Sequence, residues 1–380
     1  MVAVPIKPEL LRWALNEADS SIEDLGAATQ RDAGTVAGWL DGTASPTRGD
    51  LRGISNRLGR SLYFFFLPEP PRSSGVQAWY RDAIQGVPRD ETQELNEVRL
   101  ARRRQAIARW ALEREGATSG LLLPRLTGNS LRDVSDLQRA LDWDLRADQI
   151  RAASKGAVFR DLRARLESTG LMVQLRSIGE GNCRGFSLQD PVAPLIVINA
   201  SQTLPTVRTF SLLHELAHIT SGQEGVCYER DSAEETRCNR FAASFLIPEA
   251  DLRAYISKKD WADFPDGDLD RVRLIANRYQ ASWFSVGVRL RELGLAPQSL
   301  VESIRARYNE ERAAHKGYSR PGEPYTRELR RLDEFGQSFT ETLLRAREQG
   351  GFTELEARKQ LRVTGEELDK IERISRARAM

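Results

Sequence analysis

His214 and His218 stand four residues apart, with Glu215 between them, in the stretch Phe210-Ser-Leu-Leu-His214-Glu215-Leu-Ala-His218-Ile219. On an α-helix that spacing puts both imidazoles on one ridge, roughly 5 to 6 Å apart at Cβ, so both can reach a single ion. Two neutral imidazoles and a carboxylate suit zinc and leave a fourth position for water, whose pKa then falls toward about 7. Glu215, one residue past His214, can hydrogen-bond such a water and act as general base. Leu212, Leu213, Leu216, Ala217 and Ile219 are apolar, so Ser211, His214, Glu215 and His218 form a polar stripe on an otherwise buried helix. The chain holds only three histidines and two are here, which makes a chance pair of core histidines the weaker reading.

The third ligand must come from another segment. In Asp231-Ser-Ala-Glu234-Glu235-Thr-Arg-Cys238-Asn239-Arg-Phe241-Ala-Ala-Ser-Phe245-Leu-Ile-Pro248, residues Cys238, Phe241, Ala242, Phe245 and Leu246 recur at three and four, the mark of a helix with one face in the core. Glu235 lies at the margin of that face and is the expected ligand. Glu234, turned by about 100° from it, is expected to face solvent; it and Glu229 stand as alternatives. Cys238 is a competing zinc ligand, but a catalytic ion needs an open position, and Cys238 better fits a small packed residue.

These two segments resemble the ImmA/IrrE metallopeptidases, in which E-x-x-(A/C)-N-x-x-A-A-x-L-L-x-P follows the H-E-x-x-H helix. Cys183-Arg-Gly-Phe-Ser-Leu-Gln-Asp-Pro-Val-Ala-Pro-Leu-Ile-Val-Ile-Asn199 looks like the strands that precede the family's active helix. The resemblance covers residues 1 to 295 in outline. It implies a gluzincin-like peptidase in which His214, His218 and Glu235 hold zinc and Glu215 is the base. It further implies a specific protein as substrate, a helix-turn-helix repressor whose cleavage derepresses stress-response or mobile-element genes. Manganese or iron could occupy the same ligands. The rival reading is a DNA-binding regulator or antitoxin-like protein whose metal site is structural or vestigial, with a fourth protein ligand such as Cys227 or Cys238.

At 380 residues the chain has room for several cores. Lysines and arginines number 56 against 54 acids, a net charge of +2, so no global field recruits nucleic acid or acidic lipid. Three cysteines without a C-x-x-C spacing point to a reducing compartment. No long apolar run or signal peptide is apparent, which fits the cytoplasm and leaves no role for a membrane.

Residues 1–67 read as a five-helix bundle. A capping Ser21 starts the second helix, Asp32 caps a third running through Trp39, and Gly42 and Ser45-Pro46-Thr47 precede a fourth. This resembles the XRE helix-turn-helix class, although Leu40 stands where that class usually has glutamate. The resemblance places Gln30, Arg31, Thr35 and Arg48 on DNA. Over residues 1–66, seven cations oppose eight acids, so phosphate attraction is weak and docking of a partner is the equal alternative.

Residues 68–90, opening with Pro68-Glu-Pro70-Pro71, form a linker. The peptidase region spans 91–295. It begins with a long helix from Glu91 to about Glu115 carrying Arg102-Arg103-Arg104. Helical residues 128–168 follow, then short β-runs at 171–178 and 195–198, with a further strand around Phe186 to Leu188. An edge strand beside the metal could hold an extended substrate, and both the 186–188 and the 195–198 runs are candidates. Helices at 268–279 and 282–293 close the region. Residues 296–380 are mostly helical, with a loop holding His315 and a second helix-turn-helix-like pair at 352–368. The fold class expected is α+β, mostly α with a small sheet.

Overall fold

The computed structural model describes residues 3–18, 20–58, 60, 62–69, 91–119, 121–201, 204–221, 233–261, 263–314 and 326–379. The linker beyond Glu69, Cys227, Glu229 and His315 lie outside them. The fold is α+β, mostly helical with one three-stranded sheet. The described residues fall into two compact units, one within 3–69, 91–103 and 178–183, the other within 104–177 and 184–379.

In the first unit, helices α1 (Pro8–Glu17), α2 (Ile22–Thr29), α3 (Ala33–Asp41) and α4 (Arg48–Arg57) precede a 3₁₀ turn at Leu62–Phe66, where a fifth helix was expected. Each start is chemically marked. Ser21 and Asp24 form a reciprocal capping box, Asp32 accepts from the Thr35 N–H, and Thr47 and Asp50 form a second box. Gln30 (φ 56°) and Gly42 (φ 85°) end α2 and α3 in the left-handed conformation. Gly53 lets α4 approach α2, since a Cβ there would lie 2.8 Å from the Ala28 carbonyl oxygen. Leu10, Leu11, Leu25, Val36, Trp39, Ile54 and Phe65 fill the core.

In the second unit, α6 (Ser130–Ala140), a π-turn at Leu145–Ile150 and α7 (Lys155–Ser168) follow α5 (Glu91–Arg114), whose residues divide between the two units at 103. The sheet comprises β1 (Met172–Arg176), β2 (Gly185–Leu188) and β3 (Leu195–Asn199) in the order β1-β3-β2. β3 runs parallel to β1, with Met172 opposite Leu195, and antiparallel to β2, with Gly185 opposite Ile198. β3 is therefore central. Of the two candidate edge strands only β2 lies at an edge, and residues 195–198 cannot be one.

Side-chain alternation gives this sheet two different faces. Val173, Ile196 and Ile198 join Leu162, Leu213 and Leu216 in the large core beneath α7 and α8 (Pro205–Ser221). On the other face Gln174 accepts from Arg104 at 3.2 Å, and Arg176 pairs with Glu334. α9 (Ala233–Leu246) lies along α8, and α10 (Glu249–Lys258), α11 (Leu269–Arg278), α12 (Trp283–Glu292) and α13 (Gln298–Ala314) continue the core. The C-terminal helices are α14 (Arg327–Phe335), α15 (Gln337–Glu348), α16 (Glu354–Leu361) and α17 (Gly365–Ala379). α14 and α15 rest against β1, so this region shares a unit with the H-E-x-x-H helix. No helix among the described residues is long and apolar enough to cross a membrane.

Candidate metal centre

α8 begins at Pro205, whose fixed φ suits a first helical position. It is buried on almost every side, with Phe210, Leu212, Leu213 and Leu216 in the core. That burial brings the polar stripe inside: Ser211, His214, Glu215 and His218 are each no more than 2% exposed. Buried polar groups need partners, and α9 supplies those of the two imidazoles across the α8–α9 interface.

Glu235, in the first turn of α9, bridges the two imidazoles. Its Oε2 is 3.3 Å from His214 Nε2 and its Oε1 is 3.2 Å from His218 Nε2, while the two Nε2 atoms are 3.2 Å apart. Zinc bonded tetrahedrally at roughly 2.0 to 2.1 Å sets its ligand atoms about 3.3 to 3.4 Å from one another. The Nε2–Nε2 separation is close to that spacing, and each imidazole faces its own oxygen of the Glu235 carboxylate, so two imidazoles and a carboxylate form a donor set that fits a divalent ion. Among the described residues this is the one group of three or more His, Cys, Asp or Glu side chains close enough to share an ion.

The electrostatics agree. Burial pushes the Glu235 carboxyl upward, but the hydrogen bonds and charges of His214 and His218 outweigh it and hold Glu235 well below the usual carboxylate range. Burial works against the His218 imidazolium, yet its hydrogen bonds to Cys238 and Glu235 raise it to about 11. Burial also pushes the Cys238 thiol up, so the charge that favours a cation here is that of the carboxylates.

The outer ring nitrogens have partners that the sequence reading did not assign. His214 Nδ1 lies 3.1 Å from Asn239 Oδ1. Asn239 is four residues past Glu235, hence on the same face of α9, and this periodicity was the available signal. His218 Nδ1 is 3.6 Å from Cys238 Sγ, so the thiol lies on the side of the ring away from the converging donors. Glu234, expected in solvent, has only 16% of its side chain exposed, and its Oε1 lies 3.6 Å from His218 Nδ1. The 100° rotation from Glu235 carries it past the imidazole edge, because α9 crosses α8 there. Glu215 is 1% exposed, and Gly185 of β2 faces it: a Cβ at 185 would lie 3.5 Å from Glu215 Cγ.

The four residues expected on DNA are differently disposed. Arg31 donates from Nε to Asp50 Oδ1 at 2.9 Å, and Thr35 donates to Asp32 Oδ2 at 2.7 Å. Gln30 and Arg48 are exposed, at the C-cap of α2 and the start of α4.

A helix bearing two histidines one turn apart, met by a glutamate from the next helix and roofed by a three-stranded sheet, defines a metallopeptidase-type site. Residues 166–291, from the end of α7 into α12, match the family model of the IrrE N-terminal-like domain, a metallopeptidase family. No curated protein and no solved structure gives a significant match.

Proposed function

We propose that the chain is a zinc-dependent endopeptidase that cuts a specific protein, a helix-turn-helix repressor controlling stress-response or mobile-element genes. One observation carries the reading: the Nε2 atoms of His214 and His218 lie 3.2 Å apart, each with an oxygen of Glu235 at 3.2–3.3 Å, while a second buried carboxylate, Glu215, follows His214 on the same helix. A divalent cation held there, zinc by preference and manganese as the alternative, supplies Lewis acidity toward a peptide carbonyl and makes water easier to deprotonate. Glu215 takes the proton of the attacking water and passes it to the leaving amine nitrogen as the C–N bond breaks. β2 offers an edge against which an extended substrate can pair through main-chain hydrogen bonds.

The N-terminal bundle selects the substrate by docking it. Residues 33–41 of α3 include no lysine or arginine, and Asp32 and Asp41 stand at its two ends, so this helix contributes no neutralisation of DNA phosphates. The exposed Gln30 and Arg48 keep DNA reading as the competing use of the same surface.

The test is elemental analysis of the purified chain together with incubation against a candidate helix-turn-helix repressor. Wild type and Glu215→Gln should both retain zinc, and cleavage by the variant should fall about 10²- to 10⁴-fold. Cleavage at the wild-type rate would remove Glu215 from the mechanism, and a chain that takes up no divalent metal would end the peptidase reading.

A further inference from the structure

At their outer nitrogens the two histidines meet different described residues. His214 Nδ1 has the Asn239 amide oxygen at 3.1 Å, a normal hydrogen bond that fixes the ring. His218 Nδ1 has two neighbours at 3.6 Å, Cys238 Sγ and Glu234 Oε1. Sulfur is a weak acceptor, whereas an ionised carboxylate is a strong one. Glu234 Oε1 is buried and has no hydrogen-bond partner among the described residues. An acceptor left so is costly, and the His218 Nδ1 that it faces at 3.6 Å is a donor able to relieve it. A shift of about half an ångström, within reach of a side-chain rotation, brings the pair to hydrogen-bond distance.

We infer that Glu234 is a positioning residue for His218: its carboxylate accepts the Nδ1 proton and so keeps Nε2 turned toward Glu235 and His214. The inference rests on the metal-centre reading proposed above. Carboxylate–histidine pairs of this kind fix the tautomer and raise the basicity of the ligand nitrogen. Glu234 and Glu235 would then divide the work of one helical turn, Glu235 on the inner nitrogens and Glu234 on the outer nitrogen of His218. Cys238 would remain as packing against the ring.

The experiment is zinc affinity of the full chain by competition with a chromogenic chelator, with the visible spectrum of the cobalt-loaded protein as a second readout. Melting temperatures of the metal-free forms control for folding. Glu234→Ala should weaken zinc about 10- to 100-fold at an unchanged metal-free melting temperature and alter the cobalt spectrum. The isosteric Glu234→Gln keeps an acceptor oxygen, should recover most of the affinity, and serves if the alanine variant fails to fold. Cys238→Ala, which removes only the weaker sulfur contact, should weaken zinc clearly less than Glu234→Ala. Wild-type affinity in Glu234→Ala, or a loss that follows Cys238→Ala instead, overturns the inference while leaving the metal site standing. No zinc binding by the wild-type chain overturns both.

Discussion

Asn239 Oδ1 meets His214 Nδ1 at 3.1 Å, and this contact decides which nitrogen of His214 is free for chemistry. An amide oxygen only accepts, so Nδ1 carries the proton and Nε2 presents its lone pair toward Glu235 and His218. Asn239→Ala should therefore weaken metal binding about 10- to 100-fold, while Asn239→Asp, which keeps an acceptor, should stay close to wild type. Chelator competition on the two variants checks this. Equal affinity for all three proteins would show that packing alone orients the ring.

Gly185 sits where β2 passes over Glu215. A Cβ there would lie 2.9 Å from the Val197 carbonyl oxygen of the neighbouring strand, so a methyl group must shift β2 against β3, and with it the backbone that packs on Glu215 Cγ at an ordinary contact distance of 3.5 Å. Gly185→Ala should lower stability by about 1 to 3 kcal/mol, as overpacking does. It should also reduce kcat for peptide cleavage while leaving zinc affinity near wild type, because none of the three converging donors is touched. Denaturant melts, steady-state kinetics and metal titration separate these effects. A variant that loses zinc but not turnover would contradict the placement.

The site was legible where its information is local. The four-residue spacing of His214 and His218, and the phase of Glu235 against Cys238 and Phe241, are set by one helical period. Glu234 was misread because its exposure depends on how α9 crosses α8, and helical phase within α9 carries nothing about that angle. The sheet was legible as short apolar runs, but not its order: that β3 lies between β1 and β2 follows from long-range pairing. Gln174 and Arg176 alternate with Val173 and Leu175, a pattern that suggests a strand half open to water. Both are buried, and Phe335 of α14 lies under the guanidinium groups of Arg104 and Arg176 at 5.3 and 5.6 Å from its ring centre. Only the covering by chain about 160 residues further on explains them.

Arg31 illustrates the same limit in the N-terminal unit. The resemblance to the XRE class suggested DNA, yet Arg31 makes two hydrogen bonds to Asp50, which is 6% exposed and also closes the capping box of α4. Arg31→Ala should lower the melting temperature of this unit. Asp50→Ala should lower it further, because it loses the box as well. Arg48→Ala, at an exposed position, should leave the melting temperature unchanged. Differential scanning calorimetry of the full chain tests the ranking. Sequence-specific loss of duplex binding by Arg31→Ala at unchanged melting temperature would place Arg31 on DNA instead.

Glu167 near the end of α7 ties the C-terminal helices to the sheet, and its carboxyl should give stability a pH dependence of its own. It is paired with Arg163 at 3.4 Å and lies beneath Gly336 (φ 86°), where a Cβ would strike the Glu167 carboxylate and the Val173 carbonyl oxygen. Burial pushes the carboxyl up to about 6, although the Arg163 charge and the N–H groups of Ser338, Val173 and Gln337 pull the other way. Between its unfolded value near 4.5 and the folded value of about 6, the folded chain binds more protons than the unfolded chain at this group. Its contribution is then fully favourable below about 4.5 and declines as pH rises to about 6, by about 2 kcal/mol in all. Glu167→Gln removes that titration, so the stability difference between variant and wild type should move by about 2 kcal/mol in the variant's favour between pH 4.5 and pH 7. Denaturant unfolding at both pH values measures it. A difference that stays constant across the window would mean that Arg163 holds the carboxylate charged throughout.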